Sequence, residues 1–321
     1  MARLLARLTA LAAAIASAAV PGAATAAAPT DTGLRPVDDP PRVLVIASQR
    51  TERGRHGSVE RAEIMAAELE RLGVGTRVAG DEALTSPVAL HAADVLVLPY
   101  VACMTIPARQ SVAAFARRGG GVIFAYFGGR DDERCVPLVG QGTERRYLGR
   151  SHYGGNTEWA DLSPLMGAWF LNDVEQERAT FRVSTASPAG ARIAHYAAGR
   201  LSDIEMWRPT MLWTELVQLH RAPAGEVLTT PLSQTARPLV VYRSAVGAKD
   251  ARARRGAVVA WTNTYGAGRT AYLGFDIMDL WHPWASRFSN GAPAALTADA
   301  VMLGLVDWAR GGARTDARPG A

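Results

Sequence analysis

Several groups of side chains in this sequence are of types that could do chemistry. Asp131, Asp132 and Glu133 form an acidic turn just after the apolar run Val122 to Phe127. Asp131 or Glu133 with the imidazole of His282 would make an acid/base pair of the kind hydrolases use. Adjacent side chains diverge, however, and a solvated turn paired to Arg130 and Arg134 accounts for the three carboxylates more simply. Cys103 follows another apolar run and could act as a nucleophile with His282 as base; the favoured alternative is a disulfide with Cys135. Trp281, Trp284 and Phe288 lie close together around His282. Such aromatics can stack on sugar rings or cap the end of a core, and the sequence leaves both readings open. Tyr100, Tyr126, Asp131, Trp281, His282 and Trp284 together would give aromatic faces for sugar rings and polar groups for hydroxyls, the composition of a carbohydrate site.

Two further clusters are weaker. Arg50, Arg53, Arg55 and His56 could grip an anion, although a solvated charged loop explains them as well. Gly266-Ala267-Gly268-Arg269 looks like a phosphate loop, but it lies between two strand-like runs and opens no helix, so the geometry for an anion at a helix start is missing. It reads as a hairpin turn. The six histidines are dispersed, no spacing matches a structural zinc site, and no metal or cofactor is expected.

The elements that must position these residues emerge from periodicity. Val43 to Ala47, Val95 to Pro99 and Val122 to Phe127 are short apolar runs without polar alternation, as in strands buried on both faces of a parallel sheet. Thr76 to Ala79 reads as a further strand. A helix from Ser58, with Ala62, Met65, Ala66, Leu69 and Leu72 on one face, separates the first two strands. A second starts at Pro107 and ends at Gly119-Gly120-Gly121, with Val112, Phe115 and Ala116 toward the sheet. Right-handed crossovers then give four parallel strands in a doubly wound sheet. The later sequence reads as a short helix near Pro164 to Leu171 and strands at Ala179 to Thr185, Glu215 to His220 and Glu226 to Leu232. Leu239 to Tyr242 pairs with Ala257 to Thr262, Thr270 to Phe275 forms another strand, and a helix from about Leu296 to Arg310 closes the fold. In such sheets ligands bind beyond the carboxyl ends of the strands, where Tyr100, Cys103, Tyr126 and the acidic turn fall.

The first 26 residues read as a signal peptide: cationic Arg3 and Arg7, an apolar stretch from Leu8 to Val20, and small residues Ala24-Thr25-Ala26 at a cleavage site. A retained anchor is the alternative. Residues 27–41 read as a linker, 42–311 as one domain and 312–321 as a disordered tail. The mature chain is expected to be secreted, with no stable membrane span. In an exported chain two cysteines favour a disulfide, and a bridge from Cys103 to Cys135 would close a loop of about 30 residues, contributing about 3–4 kcal/mol. The formal charge is +5, and Lys249 is the one lysine among 35 basic residues. The arginines are interleaved with acids and form no basic stripe, which argues against nucleic acid as a partner.

The Val43 strand with its polar exit loop, the strand-helix-strand from Asp94 to Gly129 and the late Tyr265–Phe275 hairpin with its closing helix together resemble the class I glutamine amidotransferase-like superfamily. The likeness covers most of residues 42–310 and is nearest the middle, trimerisation domain of bacterial β-galactosidases, through Tyr126-Phe127-Gly128-Gly129 and the acidic turn. It implies an α/β fold: a doubly wound, mostly parallel, flavodoxin-like three-layer sandwich, here with an added β-rich C-terminal portion. It also implies a nucleophile cysteine where Tyr126 stands and a His-x-Glu motif where the chain has His282-Pro283-Trp284. Both departures argue against glutaminase activity. The resulting expectation is a catalytically inactive glycan-binding or assembly module, with a glycan or glycan-processing enzyme as partner and a homo-oligomer left open. The alternative is a secreted glycan hydrolase using Asp131, Glu133 and His282.

Overall fold

The structure is a computed structural model and describes residues 41–55, 57–129, 159, 162–221, 232–281 and 289–311. The first four strands form where the apolar runs predict: β1 Val43–Ile46, β2 Thr76–Ala79, β3 Val95–Pro99 and β4 Gly121–Ala125. They are mutually parallel in the order β2-β1-β3-β4. Winding reverses at β1 and β3, the switch point of an open α/β sheet.

The chain then builds β5 Ala168–Val183, β6 Ile204–Leu219, β7 Arg237–Val246 and β8 Val258–Tyr265 before β9 Gly268–Leu273 returns to lie parallel to β4. The full order is β2-β1-β3-β4-β9-β8-β7-β5-β6. All pairings beyond β9 are antiparallel. The β-rich portion is therefore a continuation of the same sheet, inserted in sequence between two neighbouring parallel strands. By pairing, the sheet is evenly mixed rather than mostly parallel. β5 and β6 are each 16 residues long, far longer than the predicted runs at Ala179 and Glu215. Most of the predicted strand at Glu226 lies outside the described residues.

Helices cover both faces. Alternate residues of each strand feed two separate cores. On one face Val43, Val45, Val95, Val97 and Ile123 pack with α2 (Ser58–Arg71) and the long closing helix, Ala292–Arg310. On the other, Leu44, Ile46, Leu96, Leu98, Val122 and Phe124 pack with α4 (Ile106–Arg117). The remaining helices are α1 (Gln49–Arg55), α3 (Pro87–His91), α5 (Ser163–Met166), α6 (Pro188–Ala197) and, as the closing helix, α7. Helix α7 is apolar and long enough to cross a membrane, but 72% of that window is buried in the protein. It is a core helix.

Local details depart from the sequence reading. The charged loop after β1 is helix α1. Its Glu52 caps α2, accepting the Gly57 N–H at 3.0 Å and the Val59 N–H at 3.0 Å. Arg50 is held by Asp81, which also accepts its backbone N–H at 2.9 Å. The Tyr265–Gly268 turn is a hairpin, as expected, and close approach fixes its composition. A Cβ on Gly268 would lie 2.1 Å from the Ala116 carbonyl oxygen and 2.4 Å from that of Gly120.

Candidate functional site

The polar groups of the sheet's carboxyl edge gather around the residues just past β3, β4 and β9. Leaving β3, Tyr100 takes φ 53°; leaving β4, Tyr126 and Phe127 take φ 32° and 60°. Three bulky residues in the left-handed region at one edge mark stored backbone strain, which proteins keep mainly at functional sites. Neighbouring strands hold it in place: the Tyr100 N–H donates to Ala125 O at 2.9 Å, the Tyr126 N–H to Leu273 O at 2.8 Å and the Gly129 N–H to Val101 O at 2.8 Å. The Tyr100 and Tyr126 rings stack with centroids 6.0 Å apart, and Phe127 packs edge-on to both.

Around these rings lie charges. Arg61, on α2, sits 4.5 Å above the Tyr100 ring and makes an ion pair with Asp276 at 2.6 Å. Asp276 lies three residues past the end of β9; its Oδ1 is buried without a hydrogen-bond partner among the described residues. Asp279, in the next turn, pairs with Arg208. Glu215, fully buried on β6, accepts the Phe127 N–H at 3.2 Å and the Tyr272 hydroxyl at 2.7 Å.

Electrostatics sort these groups by role. Burial, reinforced by Glu215 and Asp276, raises the Tyr126 phenol well above its ordinary pKa, so it stays protonated. Burial works against the Arg61 charge, but Asp276 outweighs it and the pKa rises. Asp279 is pushed up to about 6 by burial and by the neighbouring Asp276, against the opposing pull of Arg208 and Arg61. The cluster thus contains a carboxyl group, Asp279, raised toward neutrality and a protonated phenol at the strained turn. Tyr126 stands at the strained turn after β4, the elbow of this sheet edge, as a protonated phenol. The next backbone N–H, which in strand-turn-helix hydrolases helps bind the oxyanion, is already bonded to Glu215.

Tyr100 and Tyr126 are therefore brought together at this edge. Trp281 is half-buried against the core, with its indole N–H donating to Asp299 at 2.8 Å. Cys103 is fully buried, and its backbone N–H donates to Thr51 at 3.1 Å. Asp131, Glu133, Cys135, His282 and Trp284 lie outside the described residues. Among the described residues no group of three potential metal ligands occurs. Sequence reasoning missed Arg61, Arg208, Glu215, Asp276 and Asp279. Two of them carry a legible signal: Glu215 interrupts the apolar run Leu212 to Val217, where a charge must find partners, and Asp276 ends a buried strand at the ligand edge.

No family model and no curated protein sequence matches the chain. Solved structures do. A β-galactosidase from Bacillus circulans sp. alkalophilus superposes with TM-score 0.51 at 13% identity, covering 84% of this chain and 31% of the enzyme. The cold-adapted β-galactosidase from Rahnella sp. R3 gives the same values. A ThuA-like protein from Bacteroides uniformis ATCC 8492 matches at TM-score 0.48 and 14% identity, over 85% of this chain and 94% of that one. The chain thus spans about a third of the length of the β-galactosidases it resembles. At these identities the likeness to the two enzymes is one of fold.

Proposed function

We propose that the chain is a catalytically silent, flavodoxin-like member of the class I glutamine amidotransferase-like superfamily. In this reading it is exported and binds carbohydrate or cell-envelope glycan, or serves a glycan-processing enzyme as an assembly module. The observation that carries the proposal is the occupied elbow. The strained turn after β4 keeps the backbone form suited to a nucleophile, but it presents a buried phenol, and Glu215 takes the N–H beside it. Covalent acyl transfer needs an activated nucleophile and an open oxyanion site, and this turn offers neither. The fold shared with part of two β-galactosidases supports a sugar-linked role. Secretion and the Cys103–Cys135 bridge belong to the same proposal; the burial of Cys103 is compatible with a bridge. The test is a glutaminase assay run beside a glycan-binding screen on residues 27–321. The expected result is no ammonia release and binding to at least one neutral glycan; glutamine turnover abolished by Tyr126→Phe refutes the silent reading.

A second reading rests on Asp279. A carboxylate pushed up to about 6 beside Asp276 at the sheet edge is a group that could give and take a proton in glycan hydrolysis. Hydrolysis of nitrophenyl glycosides lost on Asp279→Asn would establish it over the silent module.

A further inference from the structure

The antiparallel extension carries a pocket that neither the elbow nor the aromatic loop accounts for. It is open to solvent, about 400 Å³ in volume, and lined by Asn172, Asp173, Glu175, Trp213, Lys249 and Asp250. Trp213 is 37% exposed, whereas the other large apolar side chains of β6 with described burial are buried or half-buried. It faces outward because it pairs in register with Glu175 across the β5–β6 ladder, which places the indole and the carboxylate side by side on one face.

The polar lining is largely prearranged. Lys249 pairs with Glu175, and its backbone N–H donates to the Glu175 carbonyl at 3.0 Å. Asn172 donates to Asp250 at 3.0 Å, and Arg252 pairs with the same carboxylate at 2.6 Å. Arg252 holds the Asp250 carboxyl well below its usual range, so Asp250 is ionised at neutral pH. The lining has three carboxylates against the Lys249 ammonium, with the Arg252 guanidinium paired to Asp250 from beside it. The balance stays negative, which disfavours anions, and the carboxylate oxygens are acceptors for hydroxyl donors. Asp173 lines the pocket and pairs in register with Glu215 across the β5–β6 ladder, so the pocket and the Glu215 cluster share neighbouring residues of the same two strands.

We propose that this pocket is a subsite for one neutral pyranose unit, with the Trp213 indole under the sugar's apolar face and Asp173, Glu175, Asn172 and Asp250 receiving or meeting its hydroxyls. A volume of this size lies within the range of small-molecule sites. An exposed indole beside fixed acceptors gives an apolar platform with polar groups at its rim, which suits a ring that is apolar on one face and hydroxylated at its edges. The inference rests on the carbohydrate reading above and adds the place and the charge class of the sugar.

The experiment is saturation-transfer NMR with titration calorimetry on the full chain, using lactose, cellobiose, β-1,4-mannobiose and a sulfated heparin disaccharide as probes. The expected result is weak binding of at least one neutral disaccharide and none of the sulfated one. Trp213→Ala should weaken binding by about tenfold, the scale of one lost aromatic platform, while Trp213→Phe keeps most of it. Trp213 is partly exposed, and an unchanged urea midpoint will show that the variant is folded. Neutral binding that survives Trp213→Ala overturns the subsite and leaves the carbohydrate reading standing. Equal or tighter binding of the sulfated probe overturns the charge class. No binding of any neutral disaccharide, but retention of the chain on insoluble cell-wall polysaccharide, also overturns the subsite alone; absence of both overturns subsite and reading together.

Discussion

If Glu215 holds the elbow closed, removing it should both destabilise the fold and free the turn after β4. Its Oε2 accepts two hydrogen bonds, from the Phe127 N–H at 3.2 Å and the Tyr272 hydroxyl at 2.7 Å, in a fully buried setting. A hydrogen bond to a charged acceptor contributes about 1.5–3 kcal/mol. Tyr272→Phe keeps the ring that stacks on Trp261, with centroids 4.6 Å apart, and removes only the hydroxyl. It should therefore cost about 2 kcal/mol. Glu215→Ala leaves two buried donors without their acceptor, each costing about 1–3 kcal/mol, before any cavity is counted. Its total should be about 4 kcal/mol. In the Glu215→Ala background the Tyr272 hydroxyl has already lost its partner, so adding Tyr272→Phe should cost little more and the two changes should couple by about 1.5 kcal/mol or more in urea unfolding. The local readout is hydrogen exchange at the Phe127 amide, which should speed up in Glu215→Ala beyond the change in global stability. Additivity within about 0.5 kcal/mol, with Phe127 exchange tracking global unfolding alone, refutes the idea that this carboxylate locks the turn.

Asp279 makes the pH dependence of stability specific. Its folded pKa of about 6 lies above the ordinary value of 3.8, so the native state holds its proton longer than the unfolded chain. Its contribution is complete below about pH 4 and is lost as pH rises through about 6, a swing of up to about 3 kcal/mol; the difference between wild type and Asp279→Asn in urea titrations from pH 4 to 7 should show that slope, and parallel curves would refute it. Gly268→Ala should destabilise at the upper end of about 1–3 kcal/mol, because backbone carbonyls rather than movable side chains meet the new methyl; thermal melts check it, and an unchanged midpoint overturns the close-approach argument. If Cys103 is bridged to Cys135, the native protein should show no titratable thiol, and reduction should lower stability by about 3–4 kcal/mol. Stoichiometric alkylation of Cys103 without reductant would sink the bridge.

The parallel half of the sheet is legible because burial on both faces leaves one composition: β1, β3 and β4 are continuous apolar runs. The antiparallel half obeys a different rule. The middle of β5 contains Asn172, Asp173, Glu175, Gln176 and Glu177, residues that disfavour strands in isolation. They are held in the sheet by partners distant in sequence: Gln176 donates to Thr214 at 3.0 Å and to the Tyr242 hydroxyl at 2.8 Å in the buried core. The ladder also shifts register near Phe170 and Gln176, which breaks the alternation a reader would count. The candidate site divides the same way. Tyr100 and Tyr126 can be located as the residues just past the carboxyl end of a buried parallel strand, because the sheet edge places them whatever the rest of the chain does. Arg61, Glu215 and Asp276 come from a helix, an antiparallel strand and the segment just past the last parallel strand, and their meeting depends on β9 inserting beside β4. That insertion is what closes the elbow. It brings Tyr272 under Glu215 and Asp276 opposite Arg61, so the same topological step that widens the sheet also fills the space around the strained turn after β4.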